Sequence, residues 1–396
     1  MVVLSQSQWQ KIKLGDVSTI SRGSSPRPIA NQKYFVDGNI PWIKIADATK
    51  SGKYLYETKE HVNSYGASFS RLLPKGSLIV AASGTLGYTQ FLGVDGCVHD
   101  GWLIVNPYES KLNKDFLYYK LIEQQKYFYN SAYGAAIQNV NTGILKDLEI
   151  DLPELEVQSA ISDILSTYDN LIENINRRIK IIESIAQKVY TEWFVKNAEI
   201  SKGWQMEYLD KIIDINPPCK TGVQKSFRKI AMDRLSSDLM LIDTNEIESM
   251  SKGTGTKFKN YDVLFARITP CLQNGKTGYV QFLDVDEVAI GSTEFVVMRG
   301  NKVPSTFVYC LARDVNFRNA AEKTMRGASG RQRVSNDFFK QYKVALPPSN
   351  TLTKFHDLVS PMFTQVEILR KSIQNLRKTR DVLIPQLVTG KLQIKS

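Results

Sequence analysis

The sequence predicts an α+β chain in which two similar mixed α/β domains are separated by a pair of long antiparallel coiled-coil helices, arranged as a pseudo-two-fold dumbbell. Three observations predict it. An internal repeat runs the length of the chain. Each copy opens with short β-rich runs punctuated by Gly, Pro, Asn and Ser. Each copy closes on a long helix with an apolar stripe.

The repeat is clearest where Gly87-Tyr88-Thr89-Gln90-Phe91-Leu92-Gly93-Val94-Asp95 matches Gly278-Tyr279-Val280-Gln281-Phe282-Leu283-Asp284-Val285-Asp286, with only the third and seventh positions different. Other blocks follow in the same order. LGDVSTIS from Leu14 matches LDKIIDIN from Leu209, and Leu78-Ile79-Val80-Ala81 matches Val263-Leu264-Phe265-Ala266. Gln138-Asn139-Val140 matches Gln332-Arg333-Val334, and Leu152-Pro153 matches Leu346-Pro347. Small shifts of register between blocks are what surface-loop insertions produce.

Within each copy, runs such as Ile40 to Ile45, Ser77 to Val80 and Phe295 to Met298 read as short strands. A helix over Lys114 to Tyr129 follows, and Pro153 or Pro347-Pro348 marks a break. In the first closing helix Ile161, Ile164, Leu165, Tyr168, Leu171, Ile172, Ile175, Ile179, Ile182, Ile185, Ala186 and Val189 form the stripe. Ile172, Ile175, Ile179 and Ile182 alternate steps of three and four, the spacing of a coiled-coil seam. Phe355, Leu358, Val359, Met362, Val366, Leu369, Ile373 and Leu376 repeat the pattern in the second. A helix of roughly 38 residues spans about 57 Å, more than one small domain covers, so helix against helix is the expectation. The chain returns along its second helix, so the pair is antiparallel. A rod of that length can hold two heads on successive major-groove faces, about 34–36 Å apart.

The 396 residues suit two or more domains. A net charge of +11 suits a polyanionic partner, either nucleic acid or an acidic protein surface. The cysteines Cys97, Cys219, Cys271 and Cys310 are scattered without a CxxC pair, which argues for a reducing, cytoplasmic setting without structural zinc or disulfides. No signal peptide and no apolar run of membrane-spanning length is expected.

Catalytic motifs fall short. Asn216-Pro217-Pro218-Cys219 resembles the Asn/Asp-Pro-Pro-aromatic motif of amino-methyltransferases, but Cys replaces the stacking aromatic and no Gly-rich cofactor loop precedes it. Gly275-Lys276-Thr277 has the tail of a P-loop, but Pro270 stands where its first Gly belongs. His61, His99 and His356 show no metal-ligand spacing, so no metal is assigned.

Nucleic-acid features do stand out. Arg326-Gly327-Ala328-Ser329-Gly330-Arg331-Gln332-Arg333 is a basic loop suited to phosphates and base edges, and Gln138-Asn139 lie at the matching place of copy one without the arginines. Two readers of different targets need such divergence. Further candidates are Arg22, Arg27, Lys44, Arg71, Arg228, Arg267 and Lys276, whereas Tyr88 and Tyr279 fall in the shared part and support the fold.

These residues resemble the specificity (S) subunit of type I restriction-modification systems over nearly the whole chain. Leu14-Gly15-Asp16-Val17 with Ile40-Pro41-Trp42-Ile43 is similar to the start of that family's target-recognition domain. Leu152-Pro153, Glu156-Val157-Gln158 and Ile161-Ser162-Asp163-Ile164-Leu165 resemble the opening of its spacer helix. Trp193-Phe194-Val195 looks like that helix's end, and Leu383 to Leu392 (LIPQLVTGKL) is close to the family's C-terminus. Copy two departs from the pattern in lacking the Gln at the start of its helix.

The resemblance implies target-recognition domains over 1–155 and 199–348, a central spacer helix over 156–198 and a C-terminal spacer helix over 349–396. Each domain would read half of a bipartite, asymmetric site in double-stranded DNA. The helices, with Ile172, Ile175, Ile179, Ile182, Val366, Leu369, Ile373 and Leu376, would set the gap and dock two modification (M) subunits. S-adenosylmethionine would belong to the M subunits, and ATP and Mg to restriction (R) subunits, leaving this chain without a cofactor or chemistry of its own. The alternatives are a duplicated protein-binding scaffold and a divergent adenine-N6 DNA methyltransferase.

Overall fold

In the computed structural model the described residues are 9–48, 52–125, 127–128, 139–196, 203–222, 224–251, 255–328 and 330–394. The chain forms two compact units. One comprises Met1–Glu173 with Asn375–Ser396, the other Asn174–Gln374. Each unit therefore holds one copy's head and one half of each long helix.

The first head has a five-stranded sheet in the order Ser18–Arg22, Trp102–Pro107, Leu78–Ala81, Thr89–Leu92, Tyr54–Leu55. Beside it lies a four-stranded sheet in the order Glu60–Val62, Ile40–Ile43, Gly96–Val98, Arg71–Leu73. A ribbon pairs Gln10–Lys13 with Glu149–Leu152. The second head repeats this plan. Its first sheet runs Ile213–Ile215, Phe295–Gly300, Val263–Ala266, Thr277–Tyr279, and its second Ser249–Met250, Phe227–Ile230, Ala289–Gly291, Thr256–Phe258. Its ribbon pairs Gln205–Tyr208 with Lys343–Leu346.

The repeated blocks occupy equivalent strands. Leu78–Ala81 and Val263–Ala266 are central strands paired on both sides and wholly buried, which is why each reads as an unbroken apolar run. The Val140 N–H donates to Ala82 O, and the Val334 N–H to Arg267 O, both at 2.9 Å and each to the residue after that central strand. This places Asn139 opposite Arg333.

In the first head, Asn113 caps helix Lys114–Glu123 by accepting from the Phe116 N–H. The helix ends at Glu123, short of the expected Tyr129, which lies outside the described residues. Ser305–Arg313 is its partner in the second head. The central helix runs Leu155–Tyr190 and continues as a π-helical turn over Thr191–Lys196. The C-terminal helix runs Ser349–Val388 and stops before Gly390, whose φ of 70° is a left-handed helix-ending conformation.

Leu165, Ile172, Ile179 and Ala186 are buried at strict seven-residue intervals, as are Leu352, Val359, Val366 and Ile373, with Phe355 and Leu369 beside them. Ile175, Ile182 and Leu376 are half-buried flanks of these seams. Ile164, Leu171, Ile185 and Leu358, expected in the stripes, are exposed instead, because a heptad seam is narrower than the apolar set the sequence offers.

The helices pack on the heads as well. Ile161, Leu165, Ile384, Leu387 and Val388 share one core with Leu78, Phe116 and Leu117 in the first unit. There Tyr119 Oη donates to Asp169 Oδ2 at 2.5 Å, and Arg380 pairs with the same carboxylate. In the second unit, Glu183 accepts from the Met240 N–H and from Tyr309 Oη, and burial pushes its pKa up to about 7. Tyr190, Phe194, Phe307 and Phe355 form an edge-to-face cluster nearby. No described helix is long and apolar enough to cross a membrane.

Candidate nucleic-acid interface

In each head, several cationic candidates gather where the central strand ends and a tight turn joins two sheets. In the first head that turn is residues 98–101. Arg22 ends its strand beside the turn and donates from Nε to Asp100 O at 2.7 Å. Arg27 forms an ion pair with the Asp100 carboxylate, and Ser25 Oγ donates to the same carboxylate at 3.1 Å. Arg71 sits opposite Val98 in the sheet. Lys44 follows the strand whose Ile43 O accepts from the His99 N–H. Lys44 pairs with Glu60 and lies 4.8 Å from the Trp42 ring centre. Asn139 is adjacent through Val140, Ala82 and Gly101, which are joined by backbone hydrogen bonds. Gln138 lies outside the described residues.

His99 lies in the same turn. Its Nδ1 accepts from the Gly101 N–H at 2.9 Å. Burial, aided by Lys44, Arg27 and Arg22, lowers its pKa against the pull of Asp100. Burial pushes the Asp100 pKa up, but His99, Ser25 and Arg27 outweigh it and hold the carboxyl below its usual range.

In the second head the equivalent turn is 291–294. Strand equivalence sets His99 and Asp100 against Ser292 and Thr293, and puts Glu294 one place on. The histidine is not repeated, but a carboxylate in the turn is. Glu294 accepts from Arg333 Nε and Nη2 at 2.7–3.0 Å and from Arg267 Nε at 3.3 Å. Hydrogen bonding from Arg333 and the charge of both arginines hold its pKa low despite partial burial. Arg326 joins through paired backbone bonds with Arg333, and Gln332 O accepts from Thr269. Arg71, Arg326 and Arg331 are exposed, and their side chains make no hydrogen bond or ion pair among the described residues.

Two candidates differ from expectation. Lys276 is half-buried, and its Nζ donates to Met232 O at 2.8 Å, so it secures the hairpin rather than projecting from it. Arg228 lies at the other end of its sheet. There it pairs with Glu287 and Asp284 and sits 5.5 Å from the Phe282 ring centre.

The spacer residues are inward-facing, so any docking surface on the helices must come from other positions, such as the exposed Ile164, Leu171 and Ile368. Sequence reading missed Asp100 and Glu294. Their signal, an acidic residue just before the strand Trp102–Pro107 or Phe295–Gly300, emerges only once the strands are aligned.

The methyltransferase-like tetrapeptide is structural. Asn216 has φ 50°, and its Oδ1 accepts from the Val297 N–H while its own N–H donates to Val297 O. Among the described residues no group of three or more His, Cys, Asp or Glu is placed to hold a metal.

Residues 6–184 match the family model described as the type I restriction modification DNA specificity domain. The chain is 25% identical to the type I restriction enzyme MjaIX specificity subunit of Methanocaldococcus jannaschii, over 98% of this chain and 94% of that one. It is 20% identical to the MjaVIII specificity subunit of the same organism over the same shares. The fold is similar to the crystal structure of the type I restriction-modification S subunit from M. genitalium, with a TM-score of 0.54, 16% identity and 96% of both chains covered. The duplicated heads and two long helices are the fold shared with that structure, and over nearly its whole length the chain is similar to specificity subunits of type I restriction-modification systems.

Proposed function

We propose that this chain is the DNA-reading subunit of a type I complex and performs no chemistry itself. Each head reads one half of a bipartite, asymmetric site in double-stranded DNA, and the helices set the gap and dock two M subunits. S-adenosylmethionine is then held by the M subunits, and ATP and Mg by R subunits.

The observation that carries this reading is the matched turn in both heads. The same place in the fold presents arginines held on an acidic residue of the turn, but they come from different segments: Arg22 on the Asp100 carbonyl and Arg27 on its carboxylate in one head, Arg267 and Arg333 on the Glu294 carboxylate in the other. Guanidinium groups held in a plane suit guanine O6 and N7 in the major groove, while free cations such as Arg71 and Arg331 suit phosphates. Shared framework with unshared side chains at one place is what two readers of different sequences require.

The test is to produce the chain with its cognate methyltransferase subunit and map methylated adenines. A two-part motif with a fixed gap is expected. A single continuous motif, or methylation by this chain alone, refutes the reading.

A further inference from the structure

The first head carries an aromatic ledge that has no counterpart among the described residues of the second. Tyr34 and Tyr65 stack with ring centres 5.7 Å apart at 15°. Phe69 stands edge-on to both, at 5.7 Å from Tyr34 and 5.1 Å from Tyr65. Lys33 Nζ lies 5.0 Å from the Tyr34 ring centre and 5.4 Å from that of Tyr65.

Tyr34 is buried, yet Tyr65 is 52% and Phe69 45% exposed. Two large rings held at the surface are costly unless something covers them.

The ledge is rigid. Asn63 Oδ1 accepts from the Gly66 N–H, and its Nδ2 donates to Lys33 O and Val36 O. A Cβ at Gly66 would come within 2.6 Å of Tyr34 O, so the short helix Ser64–Ala67 is seated directly on the Tyr34 segment.

The ledge is also joined to the arginine turn. Tyr34 Oη donates to Arg27 O at 2.7 Å, and Ser24 Oγ donates to Phe69 O at 3.1 Å. Ser70 Oγ donates to Ser24 O and Val98 O. The rings therefore extend the face that carries Arg27 and Arg71, and Lys33 adds a further cation.

Both ledge segments are longer in copy one. Residues 63–70 join the strands that 251–255 join in copy two, and 23–39 stand where 216–226 do. Length differences confined to one head are where head-specific reading is built.

We propose that Tyr65 and Phe69, with Lys33, form a DNA contact of the first head. Their ring edges pack on a thymine methyl or deoxyribose in that head's half-site, while Lys33 meets a phosphate. Aromatic carbon against the thymine methyl is a recognised base-edge contact, and the surrounding cations favour a polyanion over an apolar protein surface. The inference rests on the DNA-reading function proposed above.

The test uses the full chain assembled with its methyltransferase subunit, with Tyr65→Ala/Phe69→Ala beside the ring-preserving Tyr65→Phe. Because both rings are exposed, the double variant is expected to fold. Methylated-adenine mapping of the double variant should show a first half-site relaxed at one or more positions, by roughly tenfold in discrimination, the size of one lost base-pair preference. The second half-site and Tyr65→Phe should match wild type.

An unchanged motif at wild-type affinity overturns the ledge proposal while the DNA-reading function stands. Loss of co-purification with the methyltransferase subunit overturns it too, by making the ledge a protein interface. Failure of the wild-type complex to give any two-part motif overturns the function on which it rests.

Discussion

Glu294 accepts three hydrogen bonds from Arg333 and one from Arg267, so an exposed and a half-buried guanidinium group are fixed by one carboxylate. Its lowered pKa keeps it ionised down to a pH below the usual carboxylate range, so the clamp is complete at neutral pH and is lost only in acid. A fixed guanidinium presents two donors to guanine, whereas a free one spends the same charge on any phosphate. Glu294→Ala should therefore relax the choice of base at one position of the second half-site by about tenfold or more. The first half-site should stay as it is, and Glu294→Gln, which keeps an acceptor, should fall between. Methylation mapping of the assembled complex checks this. Equal weakening on all sequences, with the motif intact, would reduce Glu294 to a loop brace.

Gln158 sets how the central helix leaves the first head. It is buried, its Oε1 accepts from the Asn113 N–H at 2.7 Å, and its Nε2 donates to Lys111 O and Pro153 O. Counting from Pro153 and Pro347, the second helix has Leu352 there, buried within an apolar seam, and that helix still begins at Ser349. One helix start is thus pinned by hydrogen bonds and the other by packing. Gln158→Ala should destabilise the first unit by about 2–4 kcal/mol, because it strands buried backbone groups. Denaturant unfolding, followed by a probe in each unit, should show the first transition shifted and the second unmoved. The same elements show what the sequence makes legible. Heptads, prolines and matched strands mark the helices and the repeat, because periodicity is local. The Asp100 and Glu294 clamps and the Tyr34–Tyr65–Phe69 ledge are not legible, because Arg27 reaches Asp100, and Arg333 reaches Glu294, only after strands far apart in sequence have paired. For the same reason the partners of Arg228 (Glu287 and Asp284) and of Lys276 (Met232 O) are not legible in the sequence.

Neither compact unit is built from one copy alone. The first includes Asn375–Ser396 and the second includes Asn174–Tyr190, so each helix belongs to both units along its length. The buried ties of the first unit reach Asp169 and Arg380, and those of the second reach Glu183 and Arg370; nearest the boundary, Glu173 accepts from Tyr56 Oη in the first unit and Gln374 Nε2 donates to Thr244 Oγ1 in the second. Seven residues inserted after Glu173, and seven more after Gln374, would preserve both heptad seams and leave each unit's own packing alone. By helical rise each insertion adds about 10 Å, or roughly three base pairs at about 3.4 Å per step. The methylated motif should then keep both half-sites and widen its gap by about three positions. Insertion in one helix only breaks the match of the seams and should cost assembly instead. A paired insertion that alters a half-site, or leaves the gap unchanged, would show that the helices do not measure the distance between the two reading heads.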